Sequence, residues 1–132
     1  MSQENVEAVY RLYEASVRGD KETCVEMSHQ DVRLVSYLMG VEGTVYRGHD
    51  GMRRYIDDLF SVFPNWHPSI LRTIDYGETV VAEVRLAGRG AVSGVETEQT
   101  VWQVTTFKDG KVGGFYGYGS RADALKAVGL EE

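Results

Sequence analysis

The sequence predicts an α+β fold in which three N-terminal helices pack on a curved, mainly antiparallel sheet. Helical apolar spacing dominates from Val6 to Phe63, and a two-residue period takes over in the long stretches after it. The elements therefore run helices first and strands afterwards, which is the order of an α+β domain and not of a doubly wound parallel sheet. A third observation is the pair Asp109-Gly110 between two alternating runs, the usual chemistry of a tight hairpin.

Val6, Val9, Tyr10, Tyr13 and Val17 recur at helical spacing, with Ser2 as the expected N-cap. Gly19 suits the left-handed closure of that helix and Asp20 the cap of a second one, over roughly Lys21 to Ser28. From Asp31 the period changes to two. Val32, Leu34, Ser36 and Leu38 alternate with Arg33, Val35, Tyr37 and Met39, so the strand is apolar on both faces. Gly40, Gly43, Gly48 and Gly51 mark an irregular connection with a short extended piece at Thr44 to Arg47. Asp50 is the expected cap of a third helix, whose inner face carries Met52, Tyr55, Ile56, Leu59, Phe60 and Phe63 and which Pro64 ends.

Strands are expected at Ser69 to Asp75, Thr79 to Leu86, Glu96 to Phe107 and Val112 to Tyr118, with a turn at Tyr76-Gly77-Glu78. Gly88, Gly90 and Gly94 suggest a bulge or bend that would let the sheet curl. Ala122, Leu125 and Val128 suggest a short closing helix. No repeat or linker divides the 132 residues, so residues 1–132 are expected to form one domain.

Bulk properties exclude several classes of function. A net charge of −6 with scattered basic residues leaves no footprint for a nucleic-acid backbone, so no nucleic-acid partner is expected. No stretch reaches the roughly 18 apolar residues that a membrane span needs, and MSQENVEAVY does not read as a secretory signal. Cys24 stands alone, between Glu22 and Glu26, and is expected to be a buried packing residue in a reducing compartment. A cytoplasmic protein without a membrane partner follows as the expectation.

The segment Tyr-Glu-Ala-Ser-Val-Arg-Gly-Asp at Tyr13 to Asp20 and the run Tyr46-Arg47-Gly48-His49-Asp50-Gly51 carry a family likeness. Ser93-Gly94-Val95-Glu96 and the Ala122 to Leu130 tail add to it. On these residues the chain resembles the SnoaL-like, nuclear-transport-factor-two-like superfamily, which includes ketosteroid isomerase and limonene-epoxide hydrolase. The resemblance implies a cystatin-like α+β barrel in the form of a cone enclosing a pocket, and homologous folds often pair through the outer sheet face. A homodimer using Tyr116-Gly117-Tyr118 is the corresponding expectation.

Registered on ketosteroid isomerase, the chain places Leu12, Ser36 and Gln103 near the positions of that enzyme's phenol, carboxylate base and protonated acid, in that order. A one-residue slip restores a phenol at Tyr13, but Tyr37 in place of Ser36 still supplies no carboxylate, so isomerisation by that mechanism is not expected. Resemblance to limonene-epoxide hydrolase draws attention to Glu83-Val84-Arg85, where a carboxylate and a guanidinium share one strand face. Family registration turns this pair inward as candidate acid/base and anion stabiliser. The more apolar face Val80-Ala82-Val84-Leu86 turns it outward as an ordinary charge pair.

His29, His49 and His67 lie in separate elements without metal-ligand spacing, so no metal is implied, and Gly88-Arg89-Gly90 is too short for a Gly-rich nucleotide cradle, so no nucleotide cofactor is implied either. His67, in Phe63-Pro64-Asn65-Trp66-His67, follows a helix ending near the expected cavity mouth and is the second acid/base candidate, against the plainer role of a loop histidine. Tyr55, Phe60, Phe63, Trp66, Trp102, Phe107 and Phe115 would line an apolar pocket with Ser36 and Gln103 as polar groups, or simply fill the core. Two functions are carried forward. One is binding of a small, mostly apolar organic molecule in the central cavity, with a cofactor-free isomerase, cyclase or hydratase step as its catalytic form. The other is a non-catalytic dimerisation or interaction domain with a filled cone.

Overall fold

A computed structural model describes residues 2–36 and 45–130. Helix α1 (Ser2–Val17) begins at Ser2 itself, so it starts earlier than a Ser2 cap would have it. Its buried stripe is Ala8, Val9, Leu12, Tyr13, Ala15 and Ser16, whereas Tyr10 and Val17, expected in the stripe, are 44% and 37% exposed. The stripe is rotated because the two alanines, which periodicity among large side chains ignores, let the helix lie close to its neighbours.

Gly19 closes α1 at φ +70°, and Asp20 caps α2 (Lys21–Glu26) by accepting from the Thr23 amide at 3.2 Å and the Thr23 hydroxyl at 2.6 Å. These bonds, with Arg18 adding less, hold the Asp20 carboxyl below its ordinary pKa. Helix α2 stops short of Ser28 because that residue opens strand β1 (Ser28–Val35), while the Ser28 hydroxyl donates to the Cys24 carbonyl at 2.7 Å. The strand thus starts earlier than read from sequence, and its expected continuation through Tyr37, Leu38 and Met39 lies outside the described residues. So do Gly40, Gly43 and Thr44. Strand β2 is Tyr46–Arg47. Helix α3 (Gly48–Val62) starts before Asp50, with Arg47 at the N-cap and no side-chain cap; Asp50 instead sits in the first turn and accepts from Arg53 at 2.9 Å. Met52, Tyr55, Ile56 and Leu59 form its buried face.

Four strands follow: β3 (His67–Asp75), β4 (Thr79–Arg89), β5 (Glu96–Lys108) and β6 (Lys111–Tyr118). The six-stranded sheet runs β2-β1-β6-β5-β4-β3, antiparallel except for β1 against β6. Asp109 and Gly110 join β5 to β6 with both φ angles positive, 54° and 78°, the requirement of the hairpin turn expected there. The irregularities that accompany curvature occur between Ile70 and Arg72 in β3, between Ser28 and Arg33 in β1 and between Thr106 and Phe107 in β5, not at Gly88. The β4–β5 ladder runs unbroken through Gly88, whose role is close approach: an added Cβ would stand 3.3 Å from the Trp66 Cα.

Alternation assigns the faces. Val80, Ala82, Val84 and Leu86 of β4 join Val101, Phe107, Val112 and Phe115 in the core beneath helices α1 to α3. Val81, Trp102 and Val104 point the other way, where Ala124 and Leu125 of helix α4 (Arg121–Ala127) cover them. The sheet is therefore covered over most of its concave face, leaving residues 96–100 of β5 exposed, and partly on its convex face.

Candidate functional site

The concave side holds a small cavity lined by Leu12, Tyr13, Ser16, Leu34, Met52, Tyr55, Trp66 and Phe115, with a volume of about 20 Å³. Such a space holds one water-sized group. Each element contributes through its own period: Leu12, Tyr13 and Ser16 from the buried stripe of α1, Met52 and Tyr55 from α3, Leu34 from β1 and Phe115 from β6. Trp66 comes from the turn after α3, where Gly88 allows the chain to lie flat on β4. Tyr13 and Phe115 stand 5.9 Å apart between ring centroids, and Phe115 and Tyr55 6.4 Å, so the rings pack as a continuous aromatic wall.

The wall contains polar atoms without partners. Tyr13 Oη, Trp66 Nε1 and Gln103 Oε1 are each buried with no hydrogen-bond partner in the protein. Gln103, 4% exposed, pairs with Ala82 across β5 and β4 and so shares the concave face. Leaving such a group unsatisfied costs about 1–3 kcal/mol. Tyr55 differs, because its phenol is hydrogen-bonded to Ser36. Burial first, and Tyr55 second, push the Tyr13 phenol well above its ordinary pKa, while burial raises Tyr55 to about 12. Both phenols are therefore proton donors throughout the physiological range. No carboxylate or imidazole is among the described residues that line this cavity. The polar groups that its described lining residues carry are neutral O–H and N–H groups, those of Tyr13, Ser16, Tyr55 and Trp66.

A second space opens on the outside of α1. Tyr10, Tyr13, Glu14, Val17, Arg18, Pro68 and Ile70 line an open groove of about 390 Å³ between α1 and β3. Tyr13 borders both this groove and the inner cavity.

The expected pocket residues divide accordingly. Leu12, Tyr13, Tyr55, Trp66 and Phe115 come together around the cavity, and Ser36 supports Tyr55. Phe60 packs edge-on against Trp66 at 6.3 Å, and Phe63 lies against Gly88, so both act from behind the lining. Trp102 is on the convex face, with the Arg72 guanidinium 5.4 Å above its ring.

Glu83 and Arg85 do not face the cone. They stand on the convex side of β4, where Glu83 pairs with Arg72 at 3.2 Å and Arg85 with Glu98 at 3.6 Å. Val80, Ala82, Val84 and Leu86 claim the concave face, so the two-residue period forces the charges outward and family registration is off by one face. We expect Glu83→Gln to change stability by less than about 1 kcal/mol, the scale of a surface ion pair, since Glu83 is 25% and its partner Arg72 50% exposed. A loss above about 2 kcal/mol in urea titration would contradict this placement. His67 is corrected likewise: it is exposed, opposite Ala87, in a surface groove with Arg89, Glu96 and Glu98, away from the cavity. Its acid/base role has no interior group to act on.

Ser16, Leu34 and Met52 line the cavity unforeseen; the helical stripe of α1 rotated by one position would have included Ser16. Cys24 is buried, 3.6 Å from the Ser16 hydroxyl, and burial raises its thiol pKa. Among the described residues no cluster of three His, Cys, Asp or Glu is placed to hold a metal, and no helix is long and apolar enough to cross a membrane.

A helical layer on the concave face of a curved, mostly antiparallel sheet, closed over an aromatic pocket, defines the cone-shaped α+β class. The sequence profile of the SnoaL-like domain family matches residues 9–113, and the chain belongs to that family. Among solved structures it is similar to a Jannaschia sp. protein described as a SnoaL-like polyketide cyclase, with TM-score 0.79 and 20% identity over 89% of this chain and 86% of that one. It is also similar to a ketosteroid isomerase-like fold from Catenulispora acidiphila solved with trimethylamine, with TM-score 0.76 and 15% identity over 94% and 93%. A third is TerC, co-crystallised with polyporic acid, with TM-score 0.75 and 20% identity over 96% and 98%. At these identities the likeness establishes the fold. No curated protein matches the chain by sequence.

Proposed function

We propose that this protein binds a small, uncharged, mostly apolar organic molecule through an acceptor oxygen held at the cavity between α1 and the sheet. The observation that carries this reading is the pair of partnerless buried donors, Tyr13 Oη and Trp66 Nε1, on one cavity wall. A wall meant only to fill space would be more stable with Phe in place of a phenol whose hydroxyl is unpaired. The co-crystallised ligands of TerC and of the Catenulispora protein support a small-molecule role for folds of this shape. Where binding leads to turnover, the two donors would stabilise developing negative charge on the bound oxygen in an isomerase, cyclase or hydratase step. Glu14, in the outer groove, is the sole carboxylate lining either space among the described residues.

Two substitutions test the observation directly. In the ligand-free protein Tyr13→Phe and Gln103→Leu should each raise stability by about 1 kcal/mol, since each removes a buried polar atom that has no partner. Tyr13→Phe should also cut to about half the thermal shift produced by apolar ketones, quinones or polyketides, the effect of a tenfold weaker Kd. A bound ligand at one hundred times its Kd stabilises by about 2.7 kcal/mol. If both variants were destabilised and no compound shifted the melt, the donors would be structural and the reading would fall.

The second reading, a homodimeric interaction domain with a filled cone, is favoured by one observation, the cavity volume of only about 20 Å³. Its surface would be the convex groove that includes Tyr116, Gly117 and Tyr118 beside α4. Sedimentation would reveal the dimer, and Tyr118→Glu should dissociate it without affecting ligand-induced shifts.

A further inference from the structure

The inner cavity is too small for any organic ligand beyond a single heavy atom. Small-molecule sites are generally about 300–1,000 Å³, whereas this one is about 20 Å³. The groove between α1 and β3, at about 390 Å³, is within that range. From this mismatch we infer that the groove holds the body of the ligand and that the cavity receives only its carbonyl oxygen, Tyr13 being the residue at which the two meet. This inference rests on the small-molecule reading proposed above and assigns it a place and a ligand class, an uncharged, mostly apolar ketone or quinone.

Several features of the groove agree. Tyr10 and Val17 are 44% and 37% exposed although periodicity places them in the buried stripe, so α1 carries apolar surface on the groove side that its own core does not use. Pro68 and Ile70 of β3 form the opposite wall, and Ile70 also packs against the main core, which fixes that wall in place. The charged lining residues Glu14 and Arg18 are of opposite sign and one helical turn apart, so the groove has no net charge and selects neither anions nor cations. Tyr13 itself is 7% exposed, with its hydroxyl unpartnered. A carbonyl reaching it from the groove would accept from Tyr13 Oη–H, with the unpartnered Trp66 Nε1–H as the second donor. An oxygen with two lone pairs matches two donors.

The test uses two fluorescent probes built on one ring system: 6-dimethylamino-2-acetylnaphthalene, which has a carbonyl, and 2-dimethylaminonaphthalene, which lacks the acetyl group. The wild-type protein should bind the ketone about tenfold more tightly than the parent amine, the weight of one buried hydrogen bond. Tyr13→Phe should erase that preference. Val17→Trp, which fills the groove from a part-exposed helix position, should weaken both probes at least tenfold, and Tyr10→Ala, which removes a groove wall, should weaken both as an independent check. Normal binding of both probes by natively melting Val17→Trp and Tyr10→Ala proteins, with Tyr13→Phe still erasing the preference, would overturn the groove and leave the interior site standing. A wild-type protein that bound neither probe up to their solubility would overturn both.

Discussion

Replacing Phe115 with alanine should destabilise the protein by about 3–5 kcal/mol, the range for deleting a buried aromatic ring. Phe115 is 5% exposed, contacts both Tyr13 and Tyr55, and belongs to β6, which pairs with β5 on one side and β1 on the other. Its removal takes away transfer free energy and also leaves space, because the flanking strands hold the backbone and the opposing rings cannot collapse fully into the gap. The consequence extends to function. The cavity of about 20 Å³ would expand into an apolar void, and dry voids of that kind bind small hydrocarbons such as benzene. Urea titration measures the loss, and a benzene-dependent rise in the melting temperature of the variant, absent from wild type, reports the void. A loss under about 1 kcal/mol would mean that the ring is not part of the packed wall.

Raising the pH from 10 to 12 should remove a comparable amount of stability through Tyr55 alone. Burial is the main cause of its rise to about 12, a Cys24 interaction adds slightly, and the Ser36 bond opposes it. In the unfolded chain the phenol ionises near its ordinary value of about 10. Above that pH the unfolded state has lost the proton while the folded state keeps it, so stability falls with pH. The contribution is fully present below pH 10 and is lost as pH climbs to the folded value. Holding the phenol protonated from about pH 10 to about pH 12 corresponds to about 3 kcal/mol. Tyr13 and Tyr46, both raised as well, act in the same direction, Tyr46 through burial and its 2.7 Å bond to Asp58. The check is urea stability at pH 9 and pH 11.5 together with phenolate absorbance, which should show a group of tyrosines that ionise only on unfolding. Unchanged stability across that interval would show that the cone admits water.

Local chemistry made much of the fold legible. The Gly19-Asp20 corner, the Asp109-Gly110 hairpin and the closing helix α4 are each decided within a few residues by backbone conformation and capping. The order of helices and strands follows from periodicity, and the family from short motifs spread along the chain. Errors arose where a residue's role depends on distant parts of the chain. Asp50 has the side chain of a cap, but β2 delivers the chain into α3 too early for it to act as one. In α1, Ala8 and Ala15 were overlooked because small residues become core only when another element comes close.

The site shows the same division. That Tyr13, Tyr55, Trp66 and Phe115 line the cavity could be read from aromatic content and registration, since periodicity orients side chains within each element, whereas Gln103 is buried on the same sheet face without lining it. Glu83 and Arg85 could not be placed by family register, because β4 is covered on both faces, by α1 to α3 on one and partly by α4 on the other. A period of two distinguishes the faces of a strand but does not say which helix will cover which. Cavity volume is further still from sequence. It is the small difference between the space the sheet encloses and the volume of side chains from several elements, so it is set only when all of them pack together. The sequence by itself determined the elements, their order and the family, because these depend on neighbours along the chain. The tertiary structure alone decided which charges are outside, which donors are left unpaired and how little room the cone retains, because these depend on contacts between residues far apart in it.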